Sequence, residues 1–338
     1  MNKNRKNEIK NKPFGEESKD LMLAEKYSEA ASLLYKHQKE EWSLLKKGVE
    51  SLSSVKTHKF YFEGYEIYTQ FNPQRINSTT ADVSEEAVKN RKCFLCTENL
   101  PGEQQGIIHK GKYSVLCNPF PIFPFHLTIA AIEHIPQRIK NSFGDMLTLT
   151  NDFKEYSFIY NGPESGASAP DHLHFQAFKK DALPINIDYE GLKNEYGEEM
   201  TAGEVNVYSI NDGTRRMIFF ESSSIRSLEK AFIVIYDRYK NITKNLAEPM
   251  MNIITMYDDE SGWKVMCFFR RKHRPDAYFQ EGEGNILVSP ASIDLGGVLI
   301  TPLEKDFKKI DKNIIKEIFR EVCIDKEGFG YLTTKLRE

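Results

Sequence analysis

The chain has 338 residues and a mass of 39.1 kDa, about two domains' worth of sequence and enough to bury a core without a disulfide framework. Lys and Arg number 46 against 49 Asp and Glu, and the net charge of −3 is too balanced for a protein whose main business is wrapping nucleic acid. A mean hydropathy of −0.52, with no apolar run near the ~18 residues of a transmembrane helix, leaves little room for a membrane span.

Residues 1–18 are polar and charged and read as disordered. Their basic residues have no apolar stretch behind them, so no secretion signal is expected. Cys117, Cys267 and Cys323 stand alone in the sequence and only Cys93 and Cys96 are close, a pattern that suits a reducing cytoplasm. Over 19–58, Leu21, Leu23, Tyr27, Ala30, Ala31, Leu34, Trp42 and Leu45 recur at helical spacing. This predicts an N-terminal helical segment of one or two amphipathic helices packed on a domain edge, with a partner-binding helix as the alternative.

The aromatic, alternating run 59–71 reads as a strand, and 72–90 as a polar loop with a helical turn. Strands are predicted at 106–109, 113–116 and 126–131, then a helix over 136–156 and a strand at 157–160. A loop of Gly, Ser and Pro at 161–171 leads into a strand at 172–178. After a polar stretch at 180–203, strands follow at 205–210 and 217–221, and a helix at 227–239. A hairpin is expected from 253–257 and 264–269, then a strand at 297–302 and a helix at 311–323. Both halves are therefore α+β, with no visible sequence repeat.

Three clusters carry chemistry. Cys93-Phe-Leu-Cys96 suits a metal-binding turn, a redox pair or two buried small hydrophobes. Small residues between Asn161 and Pro170 let backbone N–H groups approach an anion. Beyond them, strand alternation puts His172, His174 and Gln176 on one face and Leu173, Phe175 and Ala177 on the other. The same period puts His126, Thr128 and Ala130 together, with His134 where that strand ends. Arg270-Arg271-Lys272 is either a polyphosphate clamp or a solvated strand end.

The order Cys-x-x-Cys, a strand and turn ending in a histidine, then Asn-Gly…Ser-Gly-Ala-Ser-x-Pro-x-His-x-His-x-Gln resembles the histidine-triad superfamily. More narrowly it resembles the transferase branch: galactose-1-phosphate uridylyltransferases, diadenosine tetraphosphate phosphorylases and GDP-hexose phosphorylases. The resemblance is strongest over 93–178 and fits an uncharacterised bacterial family of that branch. His172-Leu-His-Phe-Gln176 looks most like the GDP-hexose phosphorylases, Ser165–Pro170 like the phosphate loop of dinucleoside polyphosphate phosphorylases, and the cysteine pair like the zinc-binding start of the uridylyltransferases. Leu173 stands where uridylyltransferases have proline.

The resemblance implies tandem histidine-triad-like halves, each an antiparallel sheet with flanking helices: a catalytic half at 59–185 and a second half at 186–338 that lacks the motif. It implies His174 as the nucleophile toward an α-phosphorus, with Gln176 donating to a phosphoryl oxygen. Asn161, Gly166 and Ser168 match phosphate-holding positions, and Arg270, Arg271 and Lys272 would reach the leaving group. Cys93, Cys96, His134 and His172 match a structural zinc site, and His126 a supporting position. The activity implied is nucleotidyl transfer from a nucleoside diphosphate sugar or dinucleoside polyphosphate to phosphate or a sugar phosphate. The alternatives are a nucleotide hydrolase of the same superfamily and a nucleotide-binding protein without turnover. Neither nucleic acid nor membrane is an expected partner, and a homodimer is left open.

Overall fold

The computed structural model describes residues 16–243 and 246–334. Of the expected disordered residues, those before 16 lie outside this range, and a helix begins at Glu16. Three helices, Glu16–Leu23, Tyr27–Glu41 and Ser43–Ser51, stand where one or two were expected. The chain breaks between the second and third at Trp42, whose backbone is extended. Ala30, Ala31, Leu34, Trp42 and Leu45 are buried, as their spacing requires.

The aromatic run predicted as one strand is two, β1 (Lys56–Tyr61) and β2 (Glu66–Phe71), paired antiparallel. Gly64, at φ +76, makes the turn that the alternating aromatics hide in the sequence. Eleven further strands follow among the described residues: β3 (Gly106–His109), β4 (Tyr113–Cys117), β5 (Leu127–Ala131), β6 (Tyr156–Asn161), β7 (His174–Lys179), β8 (Gly197–Ala202), β9 (Val205–Asn211), β10 (Arg216–Ser222), β11 (Met251–Asp258), β12 (Gly262–Phe269) and β13 (Val298–Thr301).

Ten of these form one antiparallel sheet in the order β3-β4-β5-β7-β6-β11-β12-β10-β9-β8. Read from either outer edge inward, the strands run first, second, third, fifth and fourth in chain order within their half. Each half also carries a helix between its third and fourth strands, Phe143–Asp152 and Ile225–Ile242. The chain is thus a tandem repeat in structure, and the expectation of two sheets resolves into one sheet built edge to edge. The seam is β6 against β11, where Asn161 faces Asn252 and Tyr160 faces Ile253. β12 holds the place in its half that β7 holds in the first, and no histidine lies in Gly262–Phe269.

A smaller sheet, β1-β2-β13, pairs β2 with β13 in parallel and so ties the start of the chain to its late part. The helix predicted over 136–156 is confined to Phe143–Asp152. Residues before it form a loop, because Gln137 turns inward to bond the backbone of β6 and β7.

The two faces of the large sheet have different fates. Leu173, Phe175 and Ala177, with Phe158 and Tyr160, pack under the helices Tyr27–Glu41, Phe143–Asp152 and Ile225–Ile242. On the opposite face, Ile254, Met256, Met266 and Phe268 meet Ile315, Ile318 and Phe319 of the helix Lys312–Val322. Over the first half, that opposite face is left open as a cavity. Among the described residues no helix is long and apolar enough to cross a membrane.

Candidate functional site

The cavity has a volume of about 550 Å³, and His174, Gln176 and Thr128 lie on its floor. Period-two alternation put them there: the same strands turn Leu173 and Phe175 into the core beneath. His174 is almost fully buried, and burial pulls its pKa down to about 4, so the imidazole is neutral at pH 7. Its Nδ1 lies 2.8 Å from the backbone carbonyl of His172. A carbonyl only accepts, so Nδ1 carries the proton and Nε2 keeps a free lone pair. Gln137 brackets the same residue: its Oε1 accepts from His174 N at 2.7 Å, and its Nε2 donates to His174 O at 3.0 Å.

Gln176 pairs with Thr128 of β5, two ladder positions from the pair of His174 with Ala130, and its side-chain Oε1 is 2.8 Å from His126 Nε2. His126 is fully buried beneath the cavity floor, and its Nδ1 accepts from Ile122 N at 3.2 Å.

The small-residue loop forms one wall through Asn161, Gly166, Ala167 and Ser168. Asn161 Oδ1 accepts from Asn252 Nδ2 at 2.7 Å and from the backbone and hydroxyl of Ser292 at 2.9 and 2.7 Å. Its carbonyl is therefore fully engaged, which leaves the amide nitrogen as the donor on the cavity side. Gly166 has φ +96, and a Cβ there would lie 2.6 Å from the Ala291 side chain. Only glycine fits this close approach of the loop to the second half.

The basic triplet has another job than the one expected. Arg270 is fully buried and does not line the cavity. Its Nη1 donates to Asn252 Oδ1 at 2.8 Å and to Pro290 O at 2.7 Å, and its Nη2 donates to the carbonyls of Lys272 and His273. It braces Asn252, which in turn holds Asn161 and the Ser165 carbonyl. Arg271 pairs with Asp325 and Lys272 with Asp276, both at the surface. The cations that do line the cavity are Arg75, Arg91 and Arg274. Arg75 donates to the Phe120 carbonyl at 3.0 Å. Arg274 bonds Ser289 and the Thr79 and Ala81 carbonyls, and lies over the Tyr278 ring. Arg91 reaches Asp171 Oδ1 at 2.9 Å and the Ser168 carbonyl at 3.3 Å. His273 also lines the wall, held neutral by burial and by the neighbouring Arg274 and Arg270, which bring its pKa down to about 4.

Cys93, Cys96, His134 and His172 converge beside the cavity, with their ligand atoms all within 4.8 Å of one another. Cys93 Sγ is 3.2 Å from His172 Nδ1, and Cys96 Sγ is 3.1 Å from His134 Nδ1. The set fits a closed tetrahedral zinc site in number, type and spacing. The outer bonds fit too: His172 Nε2 donates to the Ala131 carbonyl at 2.7 Å, which frees Nδ1 as the ligand atom. His134 Nε2 lies 3.6 Å from Asp171 Oδ2. His172 precedes β7, so the cluster would pin the chain two residues ahead of His174.

Two family models cover the chain in succession. Residues 34–179 match a domain of unknown function, DUF4922, and residues 194–338 match the GDPGP1-like, C-terminal domain. No curated protein matches the sequence. Among solved structures, yeast Ap4A phosphorylase Apa2 in complex with AMP is similar with a TM-score of 0.55 at 14% identity, over 86% of this chain and 96% of that one. The same protein in complex with Ap4A gives 0.53 at 14% identity, over 84% and 97%. This likeness shows the fold, and with the GDPGP1-like match it supports the resemblance to the transferase branch of the histidine-triad superfamily.

Proposed function

We propose that the chain is a nucleotidyltransferase of the phosphorylase type, working through a nucleotidyl-His174 intermediate. The observation that carries the reading is the tautomer of His174. With its Nδ1 proton given to the His172 carbonyl, Nε2 is an unprotonated nucleophile on the floor of a cavity of nucleotide size. The lone pair on Nε2 attacks the α-phosphorus of the donor, and the bond to the leaving phosphate oxygen breaks with its electron pair. The acceptor oxygen then attacks the same phosphorus, the P–N bond breaks, and His174 regains its lone pair.

Gln176 donates a hydrogen bond to the phosphoryl oxygen through both displacements and cannot take a proton from water. Asn161 and the N–H groups around Gly166 and Ser168 hold the remaining phosphate oxygens. Arg75 and Arg274 supply the positive charge that a polyphosphate or sugar phosphate needs, in the role first expected of Arg270, Arg271 and Lys272. Zinc at Cys93, Cys96, His134 and His172 would be structural, holding the chain that carries His174. The donor class is a nucleoside diphosphate sugar or dinucleoside polyphosphate, and the acceptor is phosphate or a sugar phosphate. This draws on the AMP and Ap4A complexes of the yeast phosphorylase and on the GDPGP1-like match.

The test is a donor panel of UDP-, GDP- and ADP-sugars and dinucleoside polyphosphates, each with and without inorganic phosphate. Nucleoside diphosphate formed only with phosphate is the expected product, and His174→Ala should abolish it. Nucleoside monophosphate as sole product, at a rate indifferent to every acceptor, would make the chain a hydrolase.

A further inference from the structure

We infer that His126 is a positioning residue that sets which way round the Gln176 amide faces, and so makes Gln176 a hydrogen-bond donor to the cavity. The inference rests on the nucleotidyl-transfer reading for its catalytic consequence. Its structural part stands on the hydrogen bonds alone.

Each ring nitrogen of His126 has one partner. Nδ1 faces the backbone N–H of Ile122 at 3.2 Å. A backbone amide only donates, so Nδ1 carries no proton, and the single proton of the neutral ring sits on Nε2. That N–H points at the Gln176 side chain, 2.8 Å away. It needs an acceptor, so Oε1 must face His126 and the NH₂ group must face away from it. With the amide turned over, two N–H groups would meet, and a carbonyl oxygen would be presented to an anionic phosphoryl group. The polarity is thus passed from the backbone through the imidazole to the amide.

The surroundings hold this arrangement. His126 is fully buried, the edge of its ring meets Phe178, and the turn before it is fixed by Phe125 at φ +57 and by Asn118 N donating to His126 O. Burial, and then the charge of Arg75, keep the ring neutral. The donor orientation of Gln176 therefore does not change across the working range of pH.

The test combines a double-mutant cycle with a spectrum. His126→Phe keeps a ring in the space and removes both nitrogens. We expect kcat to fall about 10- to 100-fold with KM within about threefold, because a donor to developing charge acts in the transition state. His126→Gln can accept from Ile122 and donate to Gln176, and should recover most of the rate. In a Gln176→Ala background, His126→Phe should cost nothing further, whereas a merely structural role would cost the same in both backgrounds. In ¹⁵N-histidine-labelled wild-type protein, His126 should be protonated at Nε2 and bare at Nδ1. Full additivity in the cycle, or the opposite tautomer, overturns the inference. Should the wild-type protein turn over no donor in the panel, the transfer reading fails, and the tautomer still decides the orientation of the amide.

Discussion

The carbonyl of His172 accepts the Nδ1 proton of His174 at 2.8 Å, while the ring of His172 lies 3.2 Å from Cys93 Sγ in the cysteine–histidine cluster. One residue thus belongs to both centres. Its ring lies in a cluster that could hold a metal, and its backbone selects the His174 tautomer in which Nε2 keeps its lone pair.

Metal loss should therefore reach the chemistry indirectly. Purified protein should hold about one zinc per chain, as closed structural sites do. Cys96→Ser and His134→Ala should lower metal content, Tm and kcat together, since binding energy at such a site is folding energy. Elemental analysis with thiol titration checks this. Protein that is metal-free, with Cys93 and Cys96 both titrating as free thiols, would end the zinc assignment and leave nucleotidyl transfer standing.

Among the basic residues, the kinetics should separate wall from brace. Arg75→Ala and Arg274→Ala should each raise KM for a polyphosphate donor by about tenfold or more, the worth of a charge-assisted hydrogen bond. Arg271→Ala should leave turnover unchanged, because that side chain pairs with Asp325 at the surface. Arg270→Ala should lower Tm before anything else, since it strips Asn252 and four carbonyls of a buried partner. Steady-state kinetics beside thermal melts on the four variants decide the matter; an Arg271→Ala defect equal to that of Arg75→Ala would contradict it.

Gly166→Ala should disable the loop. The new methyl would meet the Ala291 side chain at 2.6 Å, at a φ of +96 that L-residues avoid. A cost of about 1–3 kcal/mol is expected from the backbone alone. Turnover should fall more than stability does, because Asn161 and Ser168 flank the distortion. Melting curves and kcat measured on the same preparation test this, and an unimpaired enzyme would show that the loop has slack.

Acid should destabilise the fold early. His126 is neutral when folded, with its pKa brought down to about 3 by burial and then by Arg75. In the unfolded chain it titrates near 6.5, so the unfolded state binds more protons below that pH. The contribution is present above pH 6.5 and is lost as pH falls, by about 2 kcal/mol at pH 5. Unfolding free energy followed from pH 7.5 to 5 should decline, and His126→Gln should decline less. Equal slopes in the two proteins would mean that the buried imidazole is not the source.

Much of this was legible because strands have period two. Once 172–178 reads as a strand, His174 and Gln176 must share a face and Phe175 must oppose them, which is how the cavity floor and the core divide. The grouping of Cys93, Cys96, His134 and His172 was expected from the resemblance to the uridylyltransferases, and the four do converge. Arg75 and Arg274 were not legible, since Arg75 ends a three-residue 3₁₀ turn and Arg274 sits in an irregular segment, where no period says which way a side chain points. Gln137 was hidden inside a run that reads as helix, and its role depends on backbone atoms of β6 and β7 far along the chain. The single sheet was invisible for the same reason: β6 and β11 are joined by a pairing of Asn161 with Asn252, 91 residues apart.

That seam sets a stoichiometry. The second half contributes Asn252, Ser292 and Ala291 to the loop around Asn161 and Gly166, while its own β12 offers no imidazole. On the proposed reading one chain would accept one nucleotidyl group at most, and the second half, with no histidine in β12, would serve as the supporting wall of the first half's site. Split at the link between the halves, the first would keep His174 and Gln176 and lose the anchor of the loop around Asn161 and Gly166, so neither fragment would carry the whole site.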